Sequence, residues 1–262
     1  MHYEWHHLTS PQLAEVASRD PVALIVLGAI EQHGTHLPLA TDLTIGLGLQ
    51  QALLERLDEA TEVLCLPPLA VGASDEHTHF PGTLSVSAPL AIATLEAYGD
   101  SLARAGIRRW ILLNSHGGNK AVMDLAALTL RKRHAMRVVK ATYTRLPALE
   151  GAIDADELRH GLHGGLLETA MMLHLASEHV HLDGYRPAPP TTPVSGKLLA
   201  HEGAAAFAWL ADDLSPEGVA GDATLATAEL GKRLIDHYAT LLAQVVEETA
   251  SLAPFSAQRH PK

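Results

Sequence analysis

The apolar run Val22–Leu27 (VALIVL) is followed almost at once by Glu31-Gln32-His33-Gly34-Thr35-His36 and, beyond Pro38, by Asp42. Six apolar residues in unbroken succession suit a strand buried on both faces, as in a parallel sheet covered by helices. Open sheets of that kind bind ligands beyond the carboxyl ends of their strands. The run therefore delivers two carboxylates and two imidazoles to the edge where such folds carry their chemistry. Oxygen and nitrogen donors together suit Zn, Mn, Fe or Co, so this loop reads as half of a metal site.

Two further clusters have the same form. Trp110–Leu113 leads into Asn114-Ser115-His116-Gly117-Gly118-Asn119. A strand, then polar residues and paired glycines, then a helical pattern opens backbone N–H groups toward a ligand, with His116 as the side chain presented. Ser115 and His116 do not read as nucleophile and base, because neighbours at a strand end point apart and no G-x-S-x-G elbow is present. The third cluster, His160-Gly161-Leu162-His163-Gly164-Gly165-Leu166-Leu167-Glu168-Thr169, runs into the apolar Ala170–Leu173. It places Glu168 in the first turns of a helix and His163 on the glycine-rich approach. Alone, a carboxylate there is an ordinary helix-dipole feature worth about 0.3–1 kcal/mol; beside the other two clusters it becomes a ligand candidate.

The coarse pattern alternates strand and helix. It predicts a helix over Asp42–Glu59 capped by Thr41, a strand at Val63–Leu66, and a loop over Gly72–Thr83. A helix over Pro89–Ala105, a strand at Arg109–Leu113, a helix over Asn119–His134 and a strand at Arg137–Tyr143 follow. Four strand-to-helix passages imply a mostly parallel sheet with right-handed crossovers. Pro187, Pro189, Pro190 and Pro193 break any helix in their segment. Ala223–Leu252 then carries apolar residues at helical spacing, with Asp222 as a plausible cap. Gly46-Leu47-Gly48 falls inside a helix and is no dinucleotide fingerprint.

With 262 residues, 47% of them hydrophobic, the chain fills one α/β domain spanning residues 1–262. A net charge of −11 argues against nucleic acid as a partner, and the basic run Arg131–His134 reads as a solvated helix end. No run approaches a membrane span, and the start MHYEWHHLTS lacks the basic and apolar regions of a secretion signal. A cytoplasmic protein with no membrane partner is expected. Cys65, the single cysteine, reads as a buried strand thiol.

Glu31-Gln32-His33-Gly34-x-His36-Leu37-Pro38-Leu39 with Asp42, the Asn-x-His-Gly-Gly-Asn segment, and His163 five residues before Glu168-Thr169 resemble the creatininase family of metal-dependent amidohydrolases. His79-Phe80-Pro81-Gly82-Thr83, Gly221-Asp222-Ala223 and Glu229-Leu230-Gly231 extend the fit from about Leu24 to Gly231. The resemblance implies a single-domain, three-layer α/β/α fold with a mostly parallel central sheet. It also implies a binuclear centre of divalent ions, Zn foremost with Mn or Fe as alternatives, and a homo-oligomer, commonly a hexamer. Glu31, His33, Asp42, His116 and Glu168 match the family's ligand positions, with Asp42 as the bridging carboxylate, Glu168 also counted in the reacting centre, and His163 as the proton-transfer histidine.

The implied chemistry is hydrolysis of a carbon–nitrogen bond in a small amide or cyclic amide by a metal-activated hydroxide. His163 would protonate the leaving nitrogen. Backbone N–H groups around Gly117, Gly118, Gly164 and Gly165 could meet the oxyanion, and His36 and Asn119 would orient the ligands from behind. Creatininase proper carries a metal-contacting glutamate two residues after the histidine of this loop, where Gly118 stands here, and closes its pocket with tryptophans. None of Trp5, Trp110 and Trp209 lies in the Thr144–His163 approach, so creatinine is a poor fit. The alternatives are a peptidase of the mycofactocin-precursor-maturation type, a lactone hydrolase, and a metal-holding module without catalysis.

Overall fold

The computed structural model describes residues 1–183, 185, 187, 198–253 and 255, so Pro189, Pro190 and Pro193 lie outside the described residues. Five strands form one wholly parallel sheet: β1 (His2–Glu4), β2 (Val22–Leu27), β3 (Val63–Cys65), β4 (Arg109–Asn114) and β5 (Arg137–Thr142), in the order β1-β3-β2-β4-β5. The chain moves from β2 to β3 on one side, then returns to pair β4 with β2 on the other. The carboxyl end of β2 is therefore the switch point where a crevice opens.

Helices cover both faces. In chain order they are α1 (Ser10–Ser18), α2 (Thr41–Leu54), α3 (Ala88–Arg104), α4 (Asn119–His134), α5 (Ala155–His160) and α6 (Leu166–Leu175), then α7 (Ala211–Leu214) and α8 (Ala228–Ser251). The strand alternation explains VALIVL. Val22, Leu24 and Val26 enter one core with α2, α6 and α8, while Ala23, Ile25 and Leu27 enter the other with α3 and α4. Each residue of the run is buried, which yields the three-layer α/β/α arrangement. Cys65 lies fully buried in the first core, and burial pushes its thiol up to about 12.

Several boundaries differ from the sequence pattern. Helix α2 ends at Leu54, and Thr41 is its first residue, its hydroxyl donating to the Pro38 carbonyl at 2.7 Å instead of capping. Asp222 caps only a single turn, Ala223–Leu225; the Thr227 hydroxyl, accepting from Leu230 N at 3.1 Å, starts α8. Gly46 and Gly48 lie within α2 for packing reasons: a Cβ on Gly46 would come within 2.6 Å of Val26, and one on Gly48 within 2.6 Å of Leu175.

Helices α6, which carries Glu168, and α8 cross with their backbones in close approach at Gly231. A Cβ on Gly231 of α8 would lie 1.8 Å from the Ala170 carbonyl oxygen of α6. Gly231→Ala is expected to force these helices apart and cost about 2–3 kcal/mol, within the usual range for overpacking. At roughly 2–4 °C per kcal/mol for a chain of this size, calorimetry should show the midpoint falling by about 4–12 °C. An unchanged midpoint would refute the close crossing.

Candidate metal centre

All three sequence clusters meet at the carboxyl edge of the sheet. Glu31 and His33 follow β2, Asp42 is the second residue of α2, His116 lies between β4 and α4, and Glu168 is the third residue of α6. Glu31, His33, Asp42 and His116 are each 3% exposed or less. His33 Nε2 lies 3.6 Å from Asp42 Oδ1 and 3.8 Å from Glu168 Oε2. His116 Nδ1 lies 3.2 Å from both Glu31 Oε1 and Asp42 Oδ2. Asp42 thus faces two groups at once, one oxygen toward each.

Backbone carbonyls aim the rings. A carbonyl can only accept, so its partner nitrogen carries the hydrogen. His33 Nδ1 donates to Glu31 O at 3.1 Å, His116 Nε2 to Ala73 O at 2.8 Å, and His163 Nε2 to Gln32 O at 2.7 Å. Each ring consequently turns its other nitrogen inward, as metal-ligating histidines do. Glu31 Oε2, His33 Nε2 and Asp42 Oδ2 are buried without a hydrogen-bond partner among the described residues. Buried polar atoms are ordinarily paired. Donor atoms converging unpaired around common points fit divalent cations, and three groupings have that spacing: Glu31/Asp42/His116, His33/Asp42/Glu168 and Glu31/His33/His163.

Electrostatics agree with a site short of positive charge. Burial disfavours a charged His33 ring, yet Asp42, Glu168 and Glu31 outweigh it and raise the ring to about 9. His116 is likewise raised, against burial, by Glu31 and Asp42. Burial, reinforced by Asp42 and Glu31, pushes Glu168 up to about 7, and burial with Asp42 raises Glu31. Asp42 is held low despite burial, because His33 and His116 flank it. His163 is pushed well below the usual imidazole range by burial and by His33 and His77.

The remaining candidates hold other places. His36 Nε2 bonds Gly164 O at 2.9 Å and Thr169 Oγ1 at 3.2 Å, bracing the glycine loop before α6. Asn119 accepts from Ala73 N at 3.2 Å and donates to Gly28 O at 3.1 Å, so it holds the carbonyl that orients His116. Gly117 and Gly118 line the cavity. The Gly164 N–H donates to Glu168 Oε2 at 2.7 Å; it is engaged by that carboxylate and is no free donor for an oxyanion.

Sequence reasoning missed His77 and the far wall. His77 Nε2 is 3.4 Å from Glu31 Oε1, its Nδ1 is 3.0 Å from Gln32 Nε2, and its ring stands 4.3 Å from that of His163. It follows β3 as His33 follows β2, and that shared position was the available signal. A cavity of about 720 Å³ opens before these groups, walled by Ile153, Leu162 and Leu167 and by His201, Phe207 and Trp209. Trp209 therefore supplies a tryptophan to the pocket from outside the Thr144–His163 approach.

A buried carboxylate–imidazole centre at the carboxyl edge of a parallel sheet, with an open cavity before it, defines a metal-dependent hydrolase. The profile of the creatininase family, described as creatinine amidohydrolase, matches residues 6–246, and the chain belongs to this family of metal-dependent amidohydrolases acting on carbon–nitrogen bonds. It is 34% identical over 248 residues to the mycofactocin precursor peptide peptidase of Mycobacterium ulcerans, covering 92% of this chain and 89% of that one. It is 33% identical over 199 residues to the creatinine amidohydrolase of Pseudomonas putida, covering 68% and 74%. A solved structure titled "Creatininase Mn" matches with a TM-score of 0.77 at 26% identity, covering 96% of this chain and 100% of that one.

Adding Mn²⁺ or Zn²⁺ at about 100 times its dissociation constant should stabilise the protein by about 2.7 kcal/mol over the chelator-treated form. At roughly 2–4 °C per kcal/mol, the midpoint should rise by about 5–11 °C in calorimetry. Identical midpoints with and without metal would mean that these clusters hold no ion.

Proposed function

We propose that the chain is a peptidase that hydrolyses an amide bond near the carboxyl end of a short peptide, using two divalent ions held around Asp42. Glu31, Asp42 and His116 would hold one ion; His33, Asp42 and Glu168 the other. The observation that carries the reading is the position of Asp42, whose two oxygens face two separate donor groups. Bound there, the ions would supply Lewis acidity toward the carbonyl and lower the pKa of an attacking water.

The chain's own groups would do the rest. His163 keeps its Nε2–H on Gln32 O, so Nδ1 is the atom left to take up a proton and hand it to the departing nitrogen. Burial keeps that ring neutral and able to accept. Gly117 and Gly118, at the start of α4, lie where backbone N–H groups could meet a developing oxyanion. Ile153, Leu162, Phe207 and Trp209 offer apolar walls for substrate side chains.

The peptide reading is preferred to a small cyclic amide because the cavity, at about 720 Å³, is large for creatinine, and because a Cβ at Gly118 would lie 2.1 Å from Ala73 O. That contact leaves no room for a glutamate at this place. Similarity along 92% of the chain to a peptidase also supports it. A small amide remains the second reading, supported by the creatinine amidohydrolase likeness. Zn is the first metal to test, with Mn and Fe beside it. A homohexamer is the proposed assembly, supported by Leu90, Leu125 and Leu128, each more than half exposed on α3 and α4; a solution mass near 27.9 kDa would overturn it.

The substrate test incubates metal-loaded protein with short peptides, creatinine and a lactone, and follows the products by mass spectrometry. Peptide cleavage is expected to dominate; faster creatinine turnover would overturn the reading. Asp42→Asn should remove metal and activity together, and full metal occupancy in that variant would refute the bridge. His163→Ala should keep its metal while turnover falls by about two to four orders of magnitude. Loss of metal from that variant would make His163 a ligand instead.

A further inference from the structure

Toward its mouth the pocket changes from buried carboxylates to exposed cations. Lys120, the second residue of α4, extends past Gly117, with its Nζ 3.9 Å from the point where a Cβ on Gly117 would sit. That places an ammonium one residue away from His116. Arg145 arrives from a different strand end, closing the single turn Tyr143–Arg145 after β5. Both converge on Glu202, in the segment joining β6 (Leu199–Ala200) to β7 (Ala205–Ala206). Lys120 Nζ donates to both Glu202 oxygens at 2.8 Å, and Arg145 Nη2 stands 3.8 Å from Glu202 Oε2.

The same segment carries the aromatic wall. The His201 and Phe207 rings are 4.8 Å apart, and Trp209 Nε1 donates to His201 O at 3.2 Å. The side chains of Lys120, Glu202 and Arg145 are 28%, 42% and 66% exposed. Ion pairs exposed to water contribute little and exchange readily. Glu202 is therefore a displaceable carboxylate held by two cations beside an apolar wall, lining the same cavity as the proposed reacting centre. A carboxylate arriving on a substrate would bring apolar groups that exclude water, so the same cations would hold it more tightly than they hold Glu202.

We propose that Lys120 and Arg145 receive a free carboxylate on the substrate, and that Glu202 occupies their place until it arrives. The preferred substrates are then peptides ending in a free carboxylate next to an apolar residue, seated against Phe207 and Trp209. The proposal deepens the peptidase reading and rests on it for the reaction.

The test pairs two measurements on metal-loaded protein. Calorimetric titration compares N-acetylphenylalanine with its carboxamide, and kinetics compare an N-acetyl tetrapeptide ending in phenylalanine with its carboxamide. The free acid should bind about tenfold more tightly and show a KM about tenfold lower, the scale of one charge-assisted contact. In Lys120→Met/Arg145→Met the acid-to-amide ratio should collapse to within about twofold. Glu202→Gln, which removes the internal competitor, should tighten the acid and leave the carboxamide as it was; a mere tether would weaken both. Equal binding of acid and carboxamide by the wild type, or a preference that survives the double variant, would overturn the proposal. Acid preference in titration with no cleavage of either peptide would sink the peptidase reading and spare the carboxylate pair; cleavage without preference would do the reverse.

Discussion

Each of three imidazoles commits one ring N–H to a backbone carbonyl, and the remainder of the centre depends on that commitment. Glu31 O, Ala73 O and Gln32 O fix His33, His116 and His163 in both tautomer and orientation. The carbonyls belong to the loops that follow β2 and β3, so the sheet itself aims the rings. Asn119 ties these parts together, accepting from Ala73 N while donating to Gly28 O at the end of β2. A displacement in any of these loops would turn a ring nitrogen away from Asp42.

Placing three carboxylates in one buried pocket is costly unless positive charge offsets them. The fold supplies some of it before any ion binds. Asp42 and Glu168 sit in the first turns of α2 and α6, and His116 precedes α4, so three helix amino termini point toward the centre. That contribution falls short of full compensation, as the raised His33 and His116 and the raised Glu168 and Glu31 record. The carboxylates around them favour the charged forms of His33 and His116, so without an ion the centre draws protons to these rings. As ligands the same rings would have to give up those protons, which would couple metal binding to proton release.

Much of this was legible in the residues. VALIVL and the segment before His116 are apolar on both faces, as a covered parallel strand is, and each ends in glycines and candidate ligating side chains. Asn119–His134 was readable to the residue because glycines precede it and its apolar spacing is regular. Apart from the place of His77 after β3, what escaped carried no local signal. Strand β1 is three residues long and owes its existence to pairing with β3. The wall from His201 to Trp209 is built on two-residue strands in an alanine-rich stretch, and Trp209 reaches the cavity only because that segment folds across it. His77 was visible as a residue, but only the approach of the β3 loop to Glu31 gives it a place in the centre.

Gly118 shows how a single position can redirect a shared framework. The Ala73 carbonyl that orients His116 occupies the volume a side chain at 118 would need, and Glu76 Oε1 from the same loop lies 2.7 Å from the same point. In this backbone a glutamate at 118 and the carbonyl bond to His116 exclude one another. The loop after β3 can approach the centre because 118 is glycine, and its approach brings His77 and Glu76 to the cavity wall. On the proposed reading the buried donors, which the sheet fixes, would set the reaction type, and the loops after β3 and around Glu202, which it does not fix, would set the choice of substrate.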